Sequence, residues 1–172
     1  GVARAIGSLA ESPDDQATPV AFPEAASRVP IGVYCNSHGN IFMKEIAEDF
    51  VADLHASGAQ VRLLDETAPK DARPPVCLFI APHEFFVIGA GTEWLREDII
   101  TQSFMLNTEQ VQTSWFARAL PYLLMARGVI DICSQSAQLQ VQAGIEAVNM
   151  QHSLLHVSEG LREGDQEHPL FK

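Results

Sequence analysis

Three short, predominantly apolar runs, Ile31–Cys35 (IGVYC), Val76–Ala81 (VCLFIA) and Val129–Cys133 (VIDIC), constrain this chain more than any other feature. A strand with one face in water alternates apolar and polar residues. A strand that is apolar on both faces is covered on both, as in parallel sheets whose crossover helices lie above and below. Between these runs the period changes. From Ile41 to His55 the apolar residues Phe42, Ile46, Phe50 and Leu54 recur every fourth position, which predicts a helix. Asn40 is placed to cap its start and Gly58 to stop it. Gln60–Leu64, Ser103–Leu106 and Ala147–Gln151 read as further strands. Glu93–Asp98, Thr113–Ala126 and Ser136–Ala143 read as helices, the second bent or broken by Pro121 and the third capped by Ser134 or Ser136. Gly89 to Trp94 (GAGTEW) reads as a mobile loop.

Strands alternating with helices predict an α/β chain: a Rossmann-like three-layer α/β/α sandwich with a mostly parallel five- or six-stranded sheet and Ile31–Cys35 near its centre. Residues 1–28, rich in Ala, Ser, Pro and acids, read as an N-terminal arm or linker. Residues 29–158 read as the Rossmann-like domain, and residues 159–172 as a polar tail or the start of a linker.

Composition excludes some functions. The 172 residues suffice for one domain that buries about 70% of its unfolded surface. Eleven basic residues against 22 acidic ones give a net charge of −11, which disfavours nucleic acid and anionic membrane surfaces. No apolar run approaches the roughly 20 residues of a membrane span. The N-terminus lacks a basic stretch followed by an apolar one, so no signal peptide is expected and the chain reads as cytoplasmic. The cysteines, Cys35, Cys77 and Cys133, fall in strand-like runs without metal-ligand spacing and read as buried free thiols. No metal and no cofactor is expected. His152 and His156 are four apart, but they lie in a stretch read as strand and loop.

In open parallel sheets, ligands bind beyond the carboxyl ends of the strands. Asn36, Ser37, His38 and Gly39 follow the first strand; Asp65 and Glu66 follow the second. His83 and Glu84 follow the third, Asn107, Thr108, Glu109 and Gln110 the fourth, and Ser134 and Gln135 the fifth. A histidine beside a carboxylate makes a general acid or base near neutral pH, so His38, His83 and Glu109 are the candidate catalytic residues. Asn36, Ser37, Gly39, Glu84, Gln110 and Ser134 are candidates for binding substrate. The loop NSHGN has neither GxGxxG nor GxxxxGK[ST], although Gly39 beside a helix start could bring backbone N–H groups to a phosphate or sugar hydroxyl. Trp115 and Phe116 open an apolar helix and read as core rather than as a sugar platform.

The stretch LNTEQVQTSWFARALPYLLMARGVIDICSQSAQLQ, Leu106 to Gln140, resembles bacterial GT-B glycosyltransferases, especially the CgeB-like group. There a strand ends in a short acidic turn, a long apolar helix follows, and a "vIDxxSxSxxxL" strand and helix come next. Val33 to Phe50 is also like the opening of that fold's N-terminal Rossmann domain. The resemblance implies an acceptor-side domain that transfers sugar only together with a second domain or partner chain holding the nucleotide sugar. A whole enzyme of that fold is about twice this length. It also implies no essential metal and a general base for the acceptor hydroxyl. Two other readings stand beside it. One is a stand-alone Rossmann-like binding or protein-interaction module, with room for a homo-oligomer. The other is a hydrolase using Ser37 or Ser134, which is the weakest because there is no GxSxG elbow.

Overall fold

A computed structural model describes residues 29–149 of the chain. Its strands are β1 (Ile31–Tyr34), β2 (Val61–Leu64), β3 (Val76–Ile80), β4 (Phe104–Asn107), β5 (Gly128–Asp131) and β6 (Ala147–Asn149). They form one six-stranded sheet in the order β2-β1-β3-β4-β5-β6, and every neighbouring pair is parallel. The helices are α1 (Ile41–Ala56), α2 (Pro82–Phe85), α3 (Glu97–Ile100), α4 (Ser114–Met125) and α5 (Ser134–Gln142), with 3-10 turns at Lys70–Ala72 and Gly89–Trp94. The expected α/β class with a parallel sheet is therefore what the chain forms. The proposed arm at 1–28, the tail at 159–172 and the His152/His156 pair lie outside the described residues.

The expected central place of Ile31–Cys35 needs correction. β1 is second from the edge, and β3 and β4 hold the middle. Continuous apolarity reports cover on both faces, which any strand with two neighbours can have. The order has a consequence for ligands. The chain leaves β1 for β2 on one side and returns to β3 on the other, so the connections after β1 and β3 run in opposite directions, which makes this edge the switch point of the sheet.

Side chains alternate between two cores. One face carries Val33, Leu78, Ile80 and Leu106 beneath Ile46 and Ala47 of α1. The other carries Tyr34, Cys77, Phe79, Met105 and Val129 beneath Phe85, Phe86, Trp94, Ile99 and the α4 residues Phe116, Ala119 and Leu123. Aromatic rings knit this second core: Tyr34 stacks on Phe79 at 4.9 Å, and Trp94 sits 5.0 Å from Tyr34. Cover on the α1 face stops short of the β6 side. Phe104 and Ile130 are only partly buried there, Val148 is 66% exposed, and with Val141 they line an open groove of about 540 Å³.

Caps and breaks explain the helix limits. Asn40 Oδ1 accepts the Phe42 N–H at 3.0 Å, as expected, and Gly58 follows the end of α1 at φ +88°. Thr113 caps α4 through the Phe116 N–H. α4 runs through Pro121 to Met125, with the proline ring on the exposed side. Several expectations fail. GAGTEW is a packed 3-10 turn with Gly91 and Trp94 buried, not a mobile loop. The short helix expected at Glu93–Asp98 begins instead at Glu97, and α2 was not anticipated. Neither Ser134 nor Ser136 caps α5; Cys133 occupies that position and makes no side-chain cap bond. β5 ends at Asp131, so Cys133 lies outside the strand and is half-buried, whereas Cys35 and Cys77 are buried free thiols as expected.

Candidate functional site

The loop after β1 is fixed by two side chains. Asn36, buried, donates through Nδ2 to Phe85 O (3.3 Å) and Ile88 O (2.9 Å), while its Oδ1 accepts the His38 N–H (2.9 Å). Glu66, buried at the end of β2, accepts the Ser37 N–H (2.8 Å) and the Ser37 hydroxyl (2.5 Å). Burial alone would raise the Glu66 carboxyl; the hydrogen bonds from Ser37 and His38 outweigh it and hold the group at about 2. Trp94 Nε1 donates to Glu66 O at 2.9 Å, which ties this clamp to the aromatic core.

His38 belongs to that clamp. Its Nδ1 lies 3.0 Å from Ser37 Oγ and 3.1 Å from Glu66 Oε1. A nucleophilic triad needs serine and acid on opposite nitrogens of the imidazole. Here both partners meet the same nitrogen and Ser37 also bonds the acid directly, so Ser37–His38–Glu66 is a loop brace. A cavity of about 310 Å³ opens beside it, lined by Cys35, Asn36, Ser37, Lys44, Leu64 and Asp65.

Beyond β3 a second group forms. Ala81 adopts φ 49°, in the left-handed region, and turns the chain into α2. This sparsely populated backbone conformation lies directly before His83 and Glu84. His83 Nε2 lies 3.4 Å from Glu109 Oε1 and 4.0 Å from Glu84 Oε1. The other oxygen of each carboxylate is engaged in structure: Glu84 Oε2 accepts the Asn40 N–H at 2.9 Å, and Glu109 Oε2 accepts from the Thr113 hydroxyl at 3.3 Å. His83 is buried, and burial, aided by the Arg118 charge, pushes its imidazole down to about 4. Glu109 is raised, first by burial and also by the neighbouring Glu84. Trp115 lies over this group, its ring 5.8 Å from the His83 ring, and it is 47% exposed. The reading of Trp115 as core therefore fails, while Phe116 beside it is buried as expected.

Glu84 also decides what α1 can bind. Helix N-termini attract anions. At α1 that place is taken by the chain's own carboxylate, so close that a Cβ on Gly39 would come within 2.6 Å of Glu84 Oε2. Gly39 thus admits a side chain from the next loop, not the phosphate that the sequence left open.

The candidates separate into groups. Asn36, Gly39, Glu84, His83 and Glu109 join the loops after β1, β3 and β4. Ser37 and His38 face Glu66 instead. Gln110 is exposed and supplies its backbone carbonyl to Thr113. Ser134 lies towards β6, beside Ala137, Val148 and Asn149. A buried polar network there escaped the sequence reading. Asp131 accepts from Asn107 Nδ2 (2.8 Å), Gln140 Nε2 (2.5 Å) and the Cys133 N–H (2.7 Å). Its carboxyl is raised by burial, which these bonds oppose. The signal was an acid inside an otherwise apolar strand run.

Comparison with protein-family models, curated proteins and solved structures finds no match to this chain. Among the described residues no helix is long and apolar enough to cross a membrane.

Proposed function

We propose that this domain binds a hydroxyl-bearing, sugar-like acceptor at the rim beyond β3 and β4, as the acceptor-side half of a GT-B-like glycosyltransferase. A second domain or partner chain would bring the nucleotide sugar. The observation that carries the reading is the His83–Glu109 pair beneath a half-exposed tryptophan. Aromatic faces stack on the apolar faces of sugar rings, and carboxylates and imidazoles bond their hydroxyls. The filled N-terminus of α1 supports the acceptor side, since a donor domain needs that place for phosphate. Of the two groups paired at this rim, Glu109 is the better proton acceptor: burial raises its carboxyl above its ordinary value, whereas His83, held down at about 4, is a weak base that positions it.

That weak basicity also favours the second reading, a binding module without chemistry. One titration separates acceptor from donor binding. The chain has two tryptophans, and Trp94 is buried, so saccharide binding at the rim should alter Trp115 fluorescence. Neutral mono- and disaccharides should give a saturable change that Trp115→Phe removes, and UDP-glucose should bind no more tightly than glucose. Tight UDP-glucose binding, or no saccharide binding, overturns the proposal. If saccharide binds but Glu109→Gln in the two-domain enzyme leaves turnover unchanged, the binding-module reading replaces it.

A further inference from the structure

The α1 face of the sheet is only half covered. Six strands about 4.8 Å apart make a sheet about 24 Å wide, and a helix is about 10–12 Å across. α1 covers Val61, Val33 and Leu78 on β2, β1 and β3. Beyond them Phe104 of β4 and Ile130 of β5 are only partly buried, and Val148 of β6 is exposed. These three side chains floor the open groove of about 540 Å³. Among the described residues no second helix lies on this face. α2, α3 and α4 pack on the Tyr34 face. α5 reaches that same face, since its Gln140 bonds Asp131, which alternates with Ile130 and points with Val129. The uncovered width is that of one more helix.

The chain continues from the wall of this groove. Met150 follows Asn149, the last residue of β6. From there Met150, Leu154, Val157 and Leu161 recur at steps of four, three and four, while His152, His156 and Glu159 fall on the opposite side of that period. Leu155 is the one apolar residue off the stripe. Such a pattern is that of a helix with a single apolar face. About twelve helical residues span about 18 Å, against about 13 Å for a four-residue strand, so the stripe is long enough to run the length of the groove. The groove suits an apolar stripe: Glu146 is the only charged residue among those lining it, and none lies between Asp131 and Glu146. A second copy of the chain would bring a further net charge of −11 to this face. The segment after β6 is instead tethered at the groove's edge, and a short tether gives an effective concentration on the order of millimolar.

We propose that the segment from Met150 to Leu161 docks on this face beside α1, seats Leu154 and Val157 over Ile130 and Val148, and completes the second helical layer of the sandwich. Docked there, it also keeps the outer edge of β6 from pairing with another copy.

Methyl NMR on the full chain, with Leu, Val and Ile methyls labelled, tests this directly. Cross-peaks are expected between the methyls of Leu154 or Val157 and those of Ile130 or Val148. Their absence overturns the proposal. A pair of variants gives a second readout. Leu154→Asp combined with Val157→Asp, with circular dichroism unchanged, should uncover the groove, raise the fluorescence of an apolar dye about threefold and lower the urea midpoint. His156→Asp, on the opposite side of the period, should do neither. A stripe variant indistinguishable from the wild type overturns the proposal. So does a wild-type dimer in sedimentation equilibrium that Val148→Asp dissociates and the stripe variant does not, which would assign the face to a second copy.

Discussion

His83 makes stability depend on pH in a defined window. The unfolded chain takes up the imidazole proton near 6.5, and the folded protein only at about 4, so acid favours unfolding. The contribution is intact above 6.5 and is lost as pH falls towards 4, in total about 3 kcal/mol. Glu66 acts lower down, losing its stabilisation between 4.5 and about 2. Glu109 and Asp131, both raised, work in the opposite direction. Urea unfolding of the wild type and His83→Gln from pH 7 to pH 4 should therefore give a shallower decline in the variant. Parallel curves would show that the imidazole is not held neutral. Ala81 offers a second check. A left-handed alanine costs about 1–2 kcal/mol. Glycine there relieves this but loses a buried methyl and adds unfolded-state freedom. Ala81→Gly should change stability by less than about 1 kcal/mol, whereas Ala47→Gly in the middle of α1 should cost about 2 kcal/mol in the same urea titration. Residue identity showed where His83 and Glu109 fall, because both directly follow apolar strands. It did not show that His38 would be drawn to Glu66, because which loops meet depends on strand order.

At the scale of elements, period and capping were readable where they repeat. The four-residue spacing and Asn40 predict α1 over nearly its whole length. The Gly89–Trp94 turn was missed, because its order comes from tertiary contacts that leave no period. Gly91 is buried there, and a Cβ on it would clash with the carbonyl oxygen of Phe85, which Asn36 Nδ2 also uses. Gly91→Ala must shift that carbonyl and disturb the Asn36 clamp. The expected cost is about 2–4 kcal/mol, read as a lower urea midpoint with an altered near-ultraviolet signal from Trp94. A midpoint within error of the wild type would mean that the turn adapts freely. Asp131 was missed for a related reason. Its apolar run resembled a core strand, and the side chains of Asn107 and Gln140, which no sequence period links to it, help the Cys133 N–H make a buried acid tolerable.

For the whole molecule, the apolar runs sufficed for the class, because parallel strands must be buried on both faces. They could not order the strands, since any interior position satisfies that requirement. The order bears on how the molecule assembles. Among the described residues no strand pair is a hairpin, so each pair must close a loop before it gains contacts. The shortest connection is the eleven residues between β2 and β3, and it passes over β1, which pairs with both. Closing that loop locks three strands together in a single step. The expected folding nucleus is β2-β1-β3 with α1, with β5 and β6 condensing onto it later. Chevron analysis should give Val33→Ala a φ-value above about 0.5 and Val129→Ala one near zero; the reverse ranking would refute it. The loops that meet at the switch point between β1 and β3 would then be among the first parts of the protein to acquire native form during folding, before the far edge of the sheet exists.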